Sequence, residues 1–82
     1  MYSYQLNNVC STRVDFDIKD DKIKNVVFYG GCPGNLQAVA KLVHDMPVDE
    51  TIDKLSGICC GSKDTSCADQ LAKVLLHVRN LE

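Results

Sequence analysis

Five cysteines in a chain of 82 residues constrain this protein more than any other feature of its sequence. The hydrophobic core of so small a domain supplies only about 3–5 kcal/mol, so a cross-link or a bound metal is expected to stabilise it. Because five is an odd number, the cysteines cannot all pair as disulfides within one chain. The count suits four metal ligands and one spare thiol. The five are Cys10, Cys32, Cys59, Cys60 and Cys67.

Charge and hydropathy narrow the class of protein. Nine Lys and Arg residues stand against eleven Asp and Glu residues, a net charge of −2, so no basic excess exists to release counterions from a nucleic acid. The first residues, 1–5, lack the basic and apolar segments of a signal peptide, and no apolar run approaches the ~20 residues that cross a bilayer. We therefore expect a cytoplasmic protein with no nucleic-acid and no membrane partner. In that compartment, clustered cysteines more often bind metal or carry out redox chemistry than form structural disulfides.

The first third of the chain has the period of β-strands. Apolar and polar residues alternate over 2–9 and 12–19, and a third run, 23–29, is rich in β-branched and aromatic residues. Asp20 and Asp21 separate the last two runs, and aspartate tolerates the backbone conformations of a tight hairpin turn. These segments predict a three-stranded antiparallel meander.

The second of these segments has two distinct faces. Val14, Phe16 and Ile18 share one face, which we expect to pack against a core. Asp15 and Asp17 share the opposite face. We expect these carboxylates to be solvated surface groups.

Beyond the predicted strands, the apolar residues fall at helical spacing. They predict helices over 35–46, 49–55 and 66–81. Ser66 and Asp69 fit a capping box at the start of the last helix, with aspartate in place of the usual Glu or Gln. Because the helices follow the strands and do not alternate with them, the sequence predicts an α+β fold. We expect a single domain, in which two or three helices pack on one face of the meander.

Each cysteine falls at a boundary of a predicted element. Boundaries from different elements can converge in space, as a tetrahedral thiolate site requires. Cysteines are also among the most buried residue types, so the alternative is that they only fill the core, above all Cys10. The positions are the end of the first strand (Cys10), the turn before the first helix (Cys32), the loop 59–64 (Cys59 and Cys60) and the first turn of the last helix (Cys67).

Two further interpretations of these boundaries remain open. A helix N-terminus stabilises a thiolate, which is the nucleophilic form as well as the metal-binding one. Cys60 and Cys67 could therefore cycle between dithiol and disulfide in an electron-donor protein, with Cys59 as another resolving partner. The turn Gly30–Asn35 joins a strand to a helix N-terminus, as nucleotide-binding loops do, but it lacks the G-x-G-x-x-G order and a P-loop lysine.

Three strings of the sequence resemble the TSCPD domain family. They are Gly-Gly-Cys-Pro-Gly-Asn-Leu at 30–36, Leu-Ser-Gly-Ile-Cys-Cys-Gly at 55–61 and Thr-Ser-Cys-Ala-Asp-Gln-Leu-Ala at 65–72. The segment Val9-Cys10-Ser11 is similar to the first cysteine motif of that family. One departure is Ala68, where the family motif has proline; the first turn of a helix accepts either residue.

The resemblance implies a metal site and assigns its ligands. TSCPD domains occur as small stand-alone proteins and at the C-terminus of adenosylcobalamin-dependent ribonucleotide reductases, where their cysteines are thought to chelate a metal. Carried over by position, the ligands are Cys10, Cys32, Cys60 and Cys67, with Cys59 as the spare. We expect zinc, with an iron–sulfur cluster as the alternative.

The same resemblance implies an accessory role in ribonucleotide reduction. Reductase activity by this chain alone is not expected, because 82 residues leave no room for a radical-bearing barrel or a cobalamin site. The apolar faces of the predicted helices are suited to formation of a homodimer or to docking to a larger enzyme.

Overall fold

The computed structural model describes residues 2–7, 9–31, 33–59 and 65–81, within which three strands precede three helices. The strands form one antiparallel sheet in the order β1-β2-β3. The predicted α+β fold, a three-stranded meander followed by helices, is confirmed. In chain order the elements are β1 (Tyr2–Gln5), β2 (Ser11–Lys19), β3 (Lys22–Gly30), α1 (Pro33–Val43), α2 (Val48–Leu55) and α3 (Cys67–Leu81).

The hairpin between β2 and β3 turns at the predicted aspartate pair. Asp20 and Asp21 have φ angles of 55° and 62°, and a two-residue hairpin turn favours positive φ at both positions. Lys19 pairs with Lys22 across this turn. The turn thereby sets the register of the two long strands, and with it the residues of β2 that face the helices.

β1 is shorter than its sequence pattern predicts. It ends at Gln5, and β2 begins at Ser11. One further backbone hydrogen bond, from Leu6 N to Thr12 O at 2.9 Å, follows the end of the strand. Cys10 therefore lies immediately before β2 and not at the end of the first strand. Alternation of side chains describes a strand only as far as a neighbouring strand supplies hydrogen-bond partners.

The expectation that Asp15 is a solvated surface group is wrong, because this residue is buried. Only 8% of its surface is exposed. The Ser3 hydroxyl on β1 donates a hydrogen bond to Asp15 Oδ1 at 2.6 Å, and Arg13 Nε lies 3.2 Å from the same oxygen. The Ser3 hydrogen bond is the largest cause of a lowered pKa of Asp15. The carboxylate is buried because β1 pairs directly beside it, a contact between strands that the pattern of β2 alone does not contain.

The core lies between one face of the sheet and the helices. Phe16 of β2 and Ile23 of β3 have no exposed surface, and the same is true of Leu71 and Leu75 on α3. The predicted inward face of β2 is confirmed at Val14 and Phe16, while Ile18 is partly buried. α3 contributes the largest share of the helical core, so its packing fixes the position of its N-terminus, where Cys67 lies.

The helices differ in length, and a glycine follows the end of the shortest. α2 ends before Gly57, whose φ of +83° is a left-handed conformation that favours glycine. α3 is the longest of the three, with 15 residues. In the part of the chain that the structure describes, no helix has both the length and the apolar character to cross a membrane.

Candidate functional site

Cysteines from distant parts of the sequence line one cleft. The cleft has a volume of about 240 Å³ and lies where the start of β2, α1 and the N-terminus of α3 meet. Between the cysteines its walls carry mostly apolar side chains, so the thiols are its most reactive groups. We call it the thiol cleft and define it by Cys10, Leu36, Val39, Ile58, Cys59 and Cys67.

Cys67 is the first residue of α3, and its thiol faces β2. The Sγ–H donates to Ser11 Oγ at 3.2 Å, and the Ser11 hydroxyl in turn donates to Gly30 O at 3.4 Å. Ser11 is 1% exposed, so this chain of hydrogen bonds connects α3 to both long strands below the surface. Cys67 therefore lies between the N-terminus of α3 and the start of β2.

Cys10 lines the cleft next to Gly31, which has no side chain to contact it. Gly31 has a φ of +80°. A Cβ atom added to it would lie 3.2 Å from Cys10 Cβ and 2.9 Å from both Ser11 Oγ and Leu36 Cδ1. The backbone after β3 therefore packs directly against the residues of the cleft, and only glycine satisfies both the conformation and the space.

Replacement of Gly31 by alanine is expected to lower the free energy of unfolding by about 1–3 kcal/mol, because the methyl group adds overpacking to a left-handed backbone. Gly34→Ala is the matched control, since a Cβ at Gly34 on α1 would meet no atom within 4 Å. Alanine at this helical position is expected to leave stability unchanged or to raise it by up to about 1 kcal/mol. Urea denaturation followed by circular dichroism measures the free energy of unfolding of both variants. Equal stability of the two variants would contradict the close approach at Gly31.

Asp69 joins the N-terminus of α3 to the residues that follow α2. Its Oδ1 accepts a hydrogen bond from Gly57 N at 2.8 Å, and its Oδ2 accepts one from the Thr65 hydroxyl at 2.5 Å. Lys73 Nζ lies 3.1 Å from Oδ2. Together these contacts lower the pKa of Asp69, with the Thr65 hydroxyl as the largest cause and the Gly57 N–H as the next.

The capping box predicted for α3 is half present. Ser66 Oγ accepts a hydrogen bond from Asp69 N at 3.1 Å, as an N-cap does. The carboxylate of Asp69 does not complete the box by returning to Ser66 N; it binds Gly57 and Thr65 instead. The spacing of serine and aspartate predicted the cap, but nothing in the local pattern pointed to Gly57.

Two of the four predicted metal ligands lie in the described part of the structure. Cys10 and Cys67 both line the thiol cleft and are present as thiols. Cys32 and Cys60 lie outside the described residues, as does the rest of the predicted loop after Cys59 up to residue 64. Among the described residues, no three His, Cys, Asp or Glu side chains form a group that could hold a metal ion. The set of four therefore stays a prediction.

Cys59, the spare thiol of the prediction, also lines the thiol cleft. Its Sγ lies 3.5 Å from Gly57 O, toward which it donates. The donor chemistry of the cleft fits zinc, because thiolate sulfur is a ligand that this metal prefers. The sequence left Cys59 outside the predicted ligand set and placed it near Cys67 only in the redox interpretation. In the structure it lines one cleft with both Cys10 and Cys67.

The turn after β3 has the tight backbone expected from its glycines. Gly30 and Gly31 both have a φ of +80°. Gly31 packs against side chains of Ser11 and Leu36, as a tight turn would. A nucleotide-binding role for Gly30–Asn35 stays a prediction.

The fold and the cleft define a small α+β domain that carries thiols at the boundaries of its elements. The family model of the TSCPD domain matches residues 2–78 of this chain. The chain therefore belongs to the TSCPD domain family. It matches no curated protein and no solved structure.

Proposed function

We propose that this protein is a metal-binding module that holds one zinc ion through Cys10, Cys32, Cys60 and Cys67. The observation that carries the proposal is that Cys10 and Cys67, from opposite ends of the sequence, line the same cleft as thiols. The remaining two ligands come from the resemblance of 30–36 and 55–61 to the family motifs. Zinc bound by four thiolates, with Zn–S distances of about 2.3 Å, has a closed coordination sphere. Such a site stabilises a fold and leaves no open position for a reacting water.

The elements around the cleft support a structural role for the metal. Cys10, which directly precedes β2, lines the cleft together with residues of α1 and α3. An ion held between them would connect the sheet to two helices, in a chain whose core alone is small. The packing of Gly31 and the buried Ser11 hydroxyl hold the backbones on either side of the cleft together.

A thiol–disulfide protein is the second candidate function. It is favoured by Cys59, which lines the thiol cleft together with Cys67. In this role Cys67 and either Cys59 or Cys60 would lose two protons and two electrons to a disulfide of a partner protein and form a disulfide in return. The family resemblance connects both candidates to ribonucleotide reduction, with docking to a larger enzyme as the corresponding partner.

The metal content of the protein tests the proposal. Protein purified under reducing conditions without a chelator is expected to contain about one zinc per chain, measured by elemental analysis against protein concentration. Cys10→Ser and Cys67→Ser are each expected to lose most of this zinc, because serine is a poor zinc ligand. Cys59→Ser is the matched control, since it removes a thiol from the same cleft but not a proposed ligand, and it should retain the metal.

Each other outcome of this experiment has a distinct meaning. Zinc far below one per chain in the wild-type protein would contradict the metal site. A brown protein that contains iron and inorganic sulfide would show that the bound group is an iron–sulfur cluster and not zinc. A metal-poor protein whose thiols exchange with oxidised thioredoxin would favour the redox candidate.

A further inference from the structure

Asp69 is a buried carboxylate whose contacts connect two segments of the chain. It is 4% exposed and lies in the first turn of α3. Gly57 donates to one of its oxygens, and Thr65 and Lys73 approach the other. Gly57 and Thr65 lie near the two ends of the connection between α2 and α3. One side chain therefore holds both ends of this connection against the same helix.

The two segments held by Asp69 each carry a thiol of the cleft. Cys59 follows two residues after Gly57, and its Sγ lies 3.5 Å from Gly57 O. Cys67 lies two residues before Asp69, at the start of α3. Movement of Gly57 away from α3 would carry Cys59 away from Cys67. The contacts of Asp69 oppose this movement.

We propose that Asp69 is a positioning residue of the thiol cleft: it holds the segment after α2 against the N-terminus of α3, so that the thiols of Cys59 and Cys67 line one cleft. Asp69 is not itself proposed as a ligand, because both of its oxygens already accept hydrogen bonds. The part of this inference that concerns metal affinity rests on the proposed function. The part that concerns the arrangement of the thiols does not.

A carboxylate is required at this position because three donors meet it. Asparagine would keep the volume of the side chain and could still accept the hydrogen bond from Gly57. Its amide nitrogen, however, would face the Thr65 hydroxyl and the Lys73 ammonium, where Asp69 Oδ2 accepts. Asp69→Asn is therefore a conservative variant that weakens the contact on the Thr65 side, with little change in packing.

The experiment has two readouts on the full chain. The first is zinc affinity, measured by competition with a chromophoric chelator. Asp69→Asn is expected to weaken it about 10–100-fold, because the segment that Asp69 holds through Gly57 leads in the sequence to the proposed ligand Cys60, the residue after Cys59. The second is the rate at which iodoacetamide alkylates each thiol of the metal-free protein, followed by peptide mass spectrometry. We expect alkylation of the partly buried Cys67 to become up to about tenfold faster, because weakening of one charge-assisted hydrogen bond lets the cleft open more often. Cys59 is already exposed, so its rate should change little.

Two further variants keep the test decisive. Asp53→Asn makes the same chemical change at an exposed position on α2 and is expected to alter neither readout. Thr65→Val removes the hydroxyl donor but keeps the shape of the side chain, and it should move both readouts in the same direction as Asp69→Asn. If Asp69→Asn does not fold, Thr65→Val carries the test.

The outcomes separate this inference from the proposed function. If the wild-type protein binds no zinc, the proposed function fails, and the alkylation rates alone decide whether Asp69 positions the thiols. If both variants lower the free energy of unfolding but leave zinc affinity and alkylation rates unchanged, Asp69 only stabilises the helix and the inference is overturned. Faster alkylation of Cys67 in both variants, with no change in Asp53→Asn, supports it.

Discussion

Removal of zinc by a chelator is expected to lower the free energy of unfolding by about 4 kcal/mol, if free zinc stood at about 1,000 times its dissociation constant before removal. The effect is expected because ligands as distant in the sequence as Cys10 and Cys67 share one cleft only in the folded chain, so that the energy of metal binding stabilises the fold. In a domain of this size, 1 kcal/mol corresponds to about 4–8 °C in the unfolding midpoint. The midpoint should therefore fall by about 15–30 °C.

Thermal unfolding monitored by circular dichroism measures this change. Re-addition of zinc should restore the original midpoint, whereas magnesium should not, since it prefers oxygen ligands. Cys67→Ser is expected to unfold at the temperature of the chelated wild-type protein and to gain nothing from added zinc. An unchanged midpoint after complete removal of the metal would show that the metal does not stabilise the fold.

Replacement of Phe16 by alanine is expected to cost about 3–5 kcal/mol. Phe16 has no exposed surface, and its ring stacks with those of Tyr2 and Tyr4 on β1, at centroid distances of 5.4 and 6.3 Å. The substitution would remove the ring and leave a cavity between the sheet and the helices. Because folded proteins are stable by only about 5–15 kcal/mol and the core of so small a domain supplies less, much of the stability should be lost.

Val27→Ala is the matched control for this substitution. Val27 lies on β3 of the same sheet but is 46% exposed, so its truncation is expected to cost less than about 1 kcal/mol. Urea denaturation of the two variants, purified in the same way, compares their free energies of unfolding. A loss at Phe16 no larger than that at Val27 would contradict the position of Phe16 at the centre of the core.

The elements of the fold were predictable because their signals are local. The alternation around Val14 and Phe16 identifies a strand and its inward face, and the Asp20–Asp21 pair identifies the hairpin turn. The periodicity that includes Leu71 and Leu75 identifies α3. Each signal spans only a few residues along the chain, and each was confirmed in the structure.

The environment of individual polar groups was not predictable in the same way. The pattern of β2 alone predicts that Asp15 is exposed, whereas in the structure Ser3 on the neighbouring strand donates a hydrogen bond to it. Asp69 resembles a helix cap until Gly57 is brought to its carboxylate. In both cases the deciding partner is 12 residues away in the sequence, beyond the reach of any periodic pattern.

The sequence by itself determined the order of strands and helices, the residues of the core and the family of the chain. It also placed cysteines at the boundaries of the elements, because turn residues and changes of period mark those boundaries. The tertiary structure decided which thiols share a cleft, and it added Cys59 to Cys10 and Cys67. The physical reason is that a cleft is made where separate elements meet, and packing over the whole core, not local propensity, sets where they meet.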